Sequence, residues 1–171
     1  MSALPTPLGP AAGVTYREEV VPQDRQHVRR IVESSGYFRP AEVEVAVELV
    51  DARLARGAAS GYHFVFADRA GLTVGYTCYG PIAATTGSFD LYWIAVDERC
   101  RGKGLGGALL AYTEERIRAM GGWQVYTETS NRPQYEPTRA FYEKWGYIKE
   151  AVLRDFYAPG DDKAIYVKRL G

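Results

Sequence analysis

Cysteine is scarce: only Cys78 and Cys100 occur among 171 residues. Two thiols cannot make the disulfide framework of a small secreted domain, and they lack the paired spacing of a zinc site. A reduced, cytoplasmic compartment is the expectation. Histidine is equally rare, and His27 and His63 stand far apart with no further ligand pattern around either, so no metal is expected. Long apolar runs are missing too. No window of about 18 apolar residues occurs, and the N-terminus has no basic stretch leading into an apolar one. Secretion and membrane spanning are therefore not expected. The last absence is an excess of one charge. Lys+Arg and Asp+Glu each number 21, which removes the summed positive field needed to coat nucleic acid or an anionic membrane. Any anionic ligand must be held locally.

What is present is core material and tyrosine. Hydrophobic residues make up 46% of the chain, enough to fill one core at this length, and 13 tyrosines outnumber three Trp and six Phe. Residues 1–13, rich in Pro, Ala and Gly, read as a disordered tail, and 14–171 as a single domain. Val14–Val20 reads as a strand. Pro22 opens a helix through Val28, Ile31 and Val32 that ends at Ser34-Ser35-Gly36. After the aromatic loop Tyr37-Phe38-Arg39-Pro40, the spacing of Val43, Ala46, Val47, Val50 and Leu54 predicts an amphipathic helix stopping at Gly57. Strands Tyr62–Phe66 and Leu72–Tyr79 flank a hairpin signal at Asp68–Gly71. Phe89–Val96 is apolar on both parities, as in a strand buried on two faces. A helix from Leu105 to Met120 ends at Gly121-Gly122. A strand Trp123–Thr129, a short helix Thr138–Trp145 and strands Tyr147–Tyr157 and Ala164–Lys168 follow, with Asp155–Lys163 read as the tight turn between the last two. The order describes a mixed α/β domain around one sheet.

The sharpest local signal is Arg99-Cys100-Arg101-Gly102-Lys103-Gly104-Leu105-Gly106-Gly107, between a strand and a helix start. Close glycines let backbone approach a ligand, and the first helical N–H groups have no internal partner, so the pair makes an anion cradle. The plain alternative is a solvated basic turn. Gly102, Gly104 and Gly107 also satisfy G-x-G-x-x-G, with Glu128 lying 21 residues beyond Gly107. The context rejects a dinucleotide fold and its oxidoreductase chemistry. Asp97–Arg101 intervene between strand and motif, and only 64 residues follow Gly107, too few for further βα units. No G-x-x-x-x-G-K-[ST] loop occurs either.

Arg101-x-x-Gly104-x-Gly106, placed after a strand, resembles the acetyl-coenzyme A motif of the GNAT superfamily of N-acetyltransferases. Thr138-Arg139-Ala140-Phe141-Tyr142-Glu143-Lys144-Trp145-Gly146-Tyr147 is similar to that family's A-x-x-F-Y-E-K-x-G-F/Y helix. The resemblance spans Val14 onward in element order and is strongest over Phe89–Tyr147. It implies a mostly antiparallel twisted sheet of six to seven strands flanked by about four helices. It also implies acetyl-coenzyme A as co-substrate: Ile94, Ala95 and Val96 pairing with the pantetheine arm like an added strand, and Arg101, Gly102, Lys103, Gly104, Leu105, Gly106 and Gly107 holding the pyrophosphate. Asn131 resembles the family asparagine that contacts coenzyme A. The stretch Arg132–Pro137 is longer than many relatives carry, which is a departure.

The resemblance places Tyr142 as the general acid that protonates the departing thiolate. A phenol titrating near 10 is protonated at neutral pH and matches an alkyl thiol in acidity. Its competing role is a core aromatic beside Phe141, Trp145 and Tyr147. The incoming amine, an ammonium at neutral pH, needs a base, for which Asp90 and Glu128 are both candidates. The acceptor site is expected around Tyr37, Phe38, Asp90 and Tyr92, an aromatic and mildly acidic set suited to a small amine or amino acid. Peptide or protein amines stay open, as do a non-catalytic acyl-coenzyme A-binding domain and a homodimer. Neither cysteine sits in a nucleophile-like constellation, so direct transfer in a ternary complex is expected.

Overall fold

The computed structural model describes residues 13–171; the expected tail lies, except for Gly13, outside the described residues. The elements run β1 (Val14–Arg17), α1 (Asp24–Ser34), α2 (Pro40–Arg56), β2 (His63–Arg69), β3 (Leu72–Pro81), β4 (Ser88–Val96), α3 (Leu105–Ala119), β5 (Gln124–Ser130), α4 (Glu136–Lys144), β6 (Ile148–Ala158) and β7 (Asp161–Arg169). The strands bond in the order β1-β2-β3-β4-β5-β7-β6. This is the expected mixed α/β class with an open seven-stranded sheet. The described residues form two compact units, one of 13–80 with 91–116 and the other of 81–90 with 117–171.

In the first unit, side-chain alternation on the β2–β3 hairpin sorts the layers. Phe64 and Phe66 oppose Cys78 and Tyr76. Together they bury against Val28, Ile31 and Val32 of α1 and Val43, Ala46, Val47 and Val50 of α2. The opposite parity meets α3: Thr77 and Thr113 share a buried 2.7 Å hydrogen bond. A Cβ on Gly75 would stand 2.9 Å from Leu109, so the close seat of α3 requires glycine there. The hairpin closes at Ala70-Gly71 alone, with φ 49° and 78°, the two positive values of a type I′ turn. Asp68 and Arg69, expected in the turn, belong to β2.

The first strand is shorter than expected. It stops at Arg17 because that guanidinium turns to bond both oxygens of fully buried Asp24 at 2.9 Å. Asp24 also accepts the Val21 N–H at 2.8 Å. The segment between β1 and α1 is thereby tied down without strand pairing.

In the second unit, β7 pairs antiparallel with both β5 and β6. β4 runs parallel to β5 over Ser88↔Gln124, Phe89↔Val125 and Asp90↔Tyr126. The expected Asp155–Lys163 turn contracts to Pro159-Gly160, and β7 begins at Asp161. Its polar residues satisfy the hairpin end: the Asp155 carboxylate accepts the Gly160 N–H at 2.7 Å, and the Asp155 N–H donates to Asp162 at 2.9 Å. The stretch after Asn131 forms a 3-10 turn, Pro133–Tyr135, that leads into α4 at Glu136. Pro137, with its fixed φ, suits that first helical turn.

Candidate functional site

In the first unit, the glycine loop hangs between two fixed ends. Gly102 and Gly104 have φ of 74° and 78°, the left-handed region in which only glycine sits without strain. The first bond into α3 runs from the Ala108 N–H to the Gly104 carbonyl at 3.1 Å. The amides of Leu105, Gly106 and Gly107 thus precede the first intrahelical bond, at the positive end of the helix dipole. Arg101, Gly102, Lys103 and Gly104 are exposed, while Leu105 is buried as the helix's anchor. Arg101 is ion-paired with Glu98 at 3.1 Å, and its guanidinium lies 5.6 Å from the Tyr37 ring centre. The expected acceptor residue Tyr37 therefore sits against the loop.

The other end of the loop rests on Asp97, which the sequence reading had passed over as an intervening polar residue. Its carboxylate accepts the Arg99 N–H and Nε at 3.0 Å each and caps a short 3-10 turn; its other oxygen takes Arg30 from α1. Arg30 also donates to the Thr73 carbonyl at 2.6 Å. Asp97 is 1% exposed, and Arg99, followed by Arg30, holds its carboxyl down at about 2. A depressed folded-state value contributes stability above the unfolded value near 3.9, and this is lost as pH falls toward 2. Because Arg99 is largely exposed, solvent reduces the worth to about 1–2 kcal/mol. Asp97→Asn should lose that amount at pH 7. Near pH 3 the gap between variant and wild type should narrow, as chemical denaturation at both pH values would report.

β4 departs from the expected fully buried strand. Phe89 and Leu91 are buried, but Tyr92 is exposed and Trp93 through Val96 are half-buried. The register with β5 ends at Asp90↔Tyr126, so Ile94, Ala95 and Val96 lie beyond it. Phe38 packs edge-on against Trp93 at 5.0 Å and joins the margin of the core. Tyr92 meets the Tyr62 ring at 5.4 Å.

In the second unit, Tyr142 on α4 is buried in an aromatic cluster, 5.5 Å from the Tyr147 ring, 5.6 Å from Phe141 and 6.0 Å from Tyr166. Burial pushes its hydroxyl above the usual phenol range, offset in part by a hydrogen bond with Thr127 on β5. Both competing roles of the sequence reading are thus physically present: a core ring with a protonated hydroxyl at its tip.

The two candidate bases come together, with a third group that sequence did not single out. Register puts Asp90 opposite Tyr126, Glu128 two residues further along β5, and Lys163 on β7 two residues from Ile165, the partner of Glu128. All three share one sheet face, opposite the face of Thr127. Lys163 Nζ pairs with Glu128 Oε2 at 2.5 Å and lies 4.0 Å from the Phe156 ring centre. Asp90 is half-buried. Desolvation, followed by the Glu128 charge, raises its carboxyl above the ordinary value, and Lys163 opposes that shift. Lys163 was missed because the polar run Asp161-Asp162-Lys163 reads as a turn.

Asn131 donates its backbone N–H to the Asp162 carbonyl at 2.8 Å. Arg139 of α4 fastens the neighbouring loop, donating to the Ser130 and Arg132 carbonyls at 2.9 Å each. Among the described residues no group of three or more His, Cys, Asp or Glu could hold a metal ion, and no helix is long and apolar enough to cross a membrane.

Three comparisons bear on this arrangement. The family model described as acetyltransferase (GNAT) domain matches residues 60–149. No curated protein matches the chain. Among solved structures, a protein of Desulfovibrio desulfuricans assigned to the GNAT family is 52% identical, with 92% of this chain and 99% of that one covered and a TM-score of 0.91. Ard1 of Thermoplasma volcanium is 22% identical over 94% and 99% of the two chains, with a TM-score of 0.75. The PaiA N-acetyltransferase of Thermoplasma acidophilum, solved with coenzyme A, is 16% identical over 91% and 98%, with a TM-score of 0.69. The last two share the fold. The glycine loop at the start of α3, the α4 helix bearing Tyr142, the family match and the 52% identity agree: the chain belongs to the GNAT family of acetyltransferases.

Proposed function

We propose that this protein moves the acetyl group of acetyl-coenzyme A directly to a primary amine of a small molecule or amino acid, as one cytoplasmic domain over residues 14–171. The observation that carries the mechanism lies within the second unit. Tyr142 reaches Thr127 on one face of β5, while Asp90 and Glu128 occupy the other. Direct transfer needs a proton acceptor where the amine enters and a proton donor where the thiolate leaves, on opposite sides of the carbonyl carbon. The second unit supplies both kinds of group, a phenol held protonated by burial and a carboxylate raised toward the range of a general base.

Asp90 is the base in this reading. Glu128 is already matched by Lys163, whereas Asp90 has been raised toward the range in which a carboxylate accepts protons well. The residues fit coenzyme A as well. Two left-handed glycines, the first amides of α3 and the exposed Arg101 and Lys103 suit a pyrophosphate, and the half-buried residues Ile94–Val96, beyond the register with β5, suit the amides of pantetheine. PaiA, which shares the fold, is solved with coenzyme A. Asn131 is proposed to contact the same ligand, and Tyr37, Phe38 and Tyr92 the acceptor. A covalent acyl-enzyme finds no support. Cys78 is buried with its thiol pushed well up by desolvation, and Cys100 is half-buried on the loop side.

Thiol release from acetyl-coenzyme A over a panel of amines, amino acids and short peptides tests the reading. Release with small amines or amino acids is expected. Release with peptides alone would transfer the proposal to a protein acceptor. Stabilisation by acetyl-coenzyme A with no release over the whole panel would favour a binding domain.

A further inference from the structure

β6 stands at the edge of the sheet, and most of its length is exposed. Ile148 is 65% exposed, Phe156 52%, and Val152 and Leu153 42% each. Neighbours on a strand point to opposite faces, so neither face of β6 at Val152–Leu153 is covered. An edge with free backbone groups and apolar side chains on both faces is a template for another strand.

The charges on this edge name the strand that fits. Around Val152 the sequence is antisymmetric: Lys149-Glu150 on one side and Arg154-Asp155 on the other. Two copies of β6 laid antiparallel with Val152 opposite Val152 set Glu150 against Arg154, Lys149 against Asp155 and Ile148 against Phe156. A two-fold axis opposes only residues on the same face, so the neighbouring registers centre on Ala151 or Leu153; they set Glu150 against Val152 or against Phe156 and form neither ion pair. Opposite charges across a strand pair stabilise it, so the register at Val152 is favoured. The contact is isologous, as a two-fold dimer requires. Asp155 is left-handed and its carboxylate serves Gly160. The Glu150–Arg154 pair, whose side chains have no partner among the described residues, therefore carries the selection. A bulge at Glu150 and a second irregularity between Leu153 and Ala158 bound Ala151–Leu153 as the regular centre, with Glu150 and Arg154 at its two ends.

We propose that β6 is a self-association edge, pairing antiparallel with β6 of a second copy of this chain about a two-fold axis at Val152. The paired segment is short, so the equilibrium depends on concentration and on the two flanking ion pairs.

Sedimentation of the full chain over a concentration series tests this. The wild-type protein should pass from monomer to dimer. Glu150→Arg places two Arg–Arg contacts in the interface and should weaken association about tenfold. Glu150→Arg combined with Arg154→Glu should restore it. Independently, Val152→Cys on the wild-type background should yield a disulfide-linked dimer on oxidation, because directly opposed Cβ atoms lie about 4.5–5.5 Å apart; the wild-type protein, with Cys78 and Cys100 only, should not. A wild-type monomer up to about 1 mM would overturn the proposal. So would undiminished association of Glu150→Arg, or the absence of a Val152→Cys cross-link.

Discussion

Tyr142→Phe is expected to lower kcat about 100- to 10,000-fold, the range for loss of a positioned proton donor, with acetyl-coenzyme A affinity nearly unchanged. The phenol is held protonated by its surroundings: three aromatic rings and burial disfavour the phenolate. Phenylalanine keeps the ring and its packing and removes only the oxygen. That oxygen has a structural duty too, because its loss leaves the buried Thr127 hydroxyl without its partner, at about 1–3 kcal/mol. Stability and catalysis therefore need separate readouts. Thr127→Val breaks the same hydrogen bond while keeping the phenol. If proton donation is the role, Thr127→Val retains most of kcat although it is destabilised. Equal loss of kcat in both variants would reduce Tyr142 to a core ring and sink its catalytic role.

The second large effect is expected at Asp90. Asp90→Asn should lower kcat on a similar scale and abolish the acidic limb of its pH profile. The limb itself should lie above the ordinary aspartate value near 3.9, since burial and Glu128 raise this carboxyl. A base acts when deprotonated, so the rate falls as pH drops through a raised value. Lys163→Met removes the one group that opposes the shift and should move the limb to higher pH. Glu128→Gln removes a charge that raises it and should move the limb lower, with activity kept. Were Glu128→Gln to abolish the limb instead, Glu128 would be the base.

Much of the frame was legible because it depends on local spacing. The run Val43, Ala46, Val47, Val50 marks α2 and Gly57 its end, since both follow from helical period and backbone freedom. The loop of Gly102 and Gly104 was equally legible: left-handed backbone leaves glycine in the sequence wherever it is needed. What stayed hidden depends on partners far along the chain. Asp97 is one charge among five polar residues until Arg30, 67 residues earlier, arrives beside it. Lys163 reads as turn until register carries it onto the face of Glu128. The exposure of β4 beyond Leu91 depends on where its pairing with β5 stops, which alternation of residue types cannot tell.

The anchoring of the glycine loop also bears on how selectively a ligand is captured. With Asp97 clamped to Arg99 and Arg30 at one end and the first turn of α3 formed at the other, the stretch left between them is Arg101 to Gly104. At about 1–2 kcal/mol per residue, the backbone entropy lost on fixing it is about 4–8 kcal/mol. A loop of this reach is preorganised: most of its ordering is complete when the chain folds, and binding strength can come from contacts with the phosphates and not be spent on assembling the receptor.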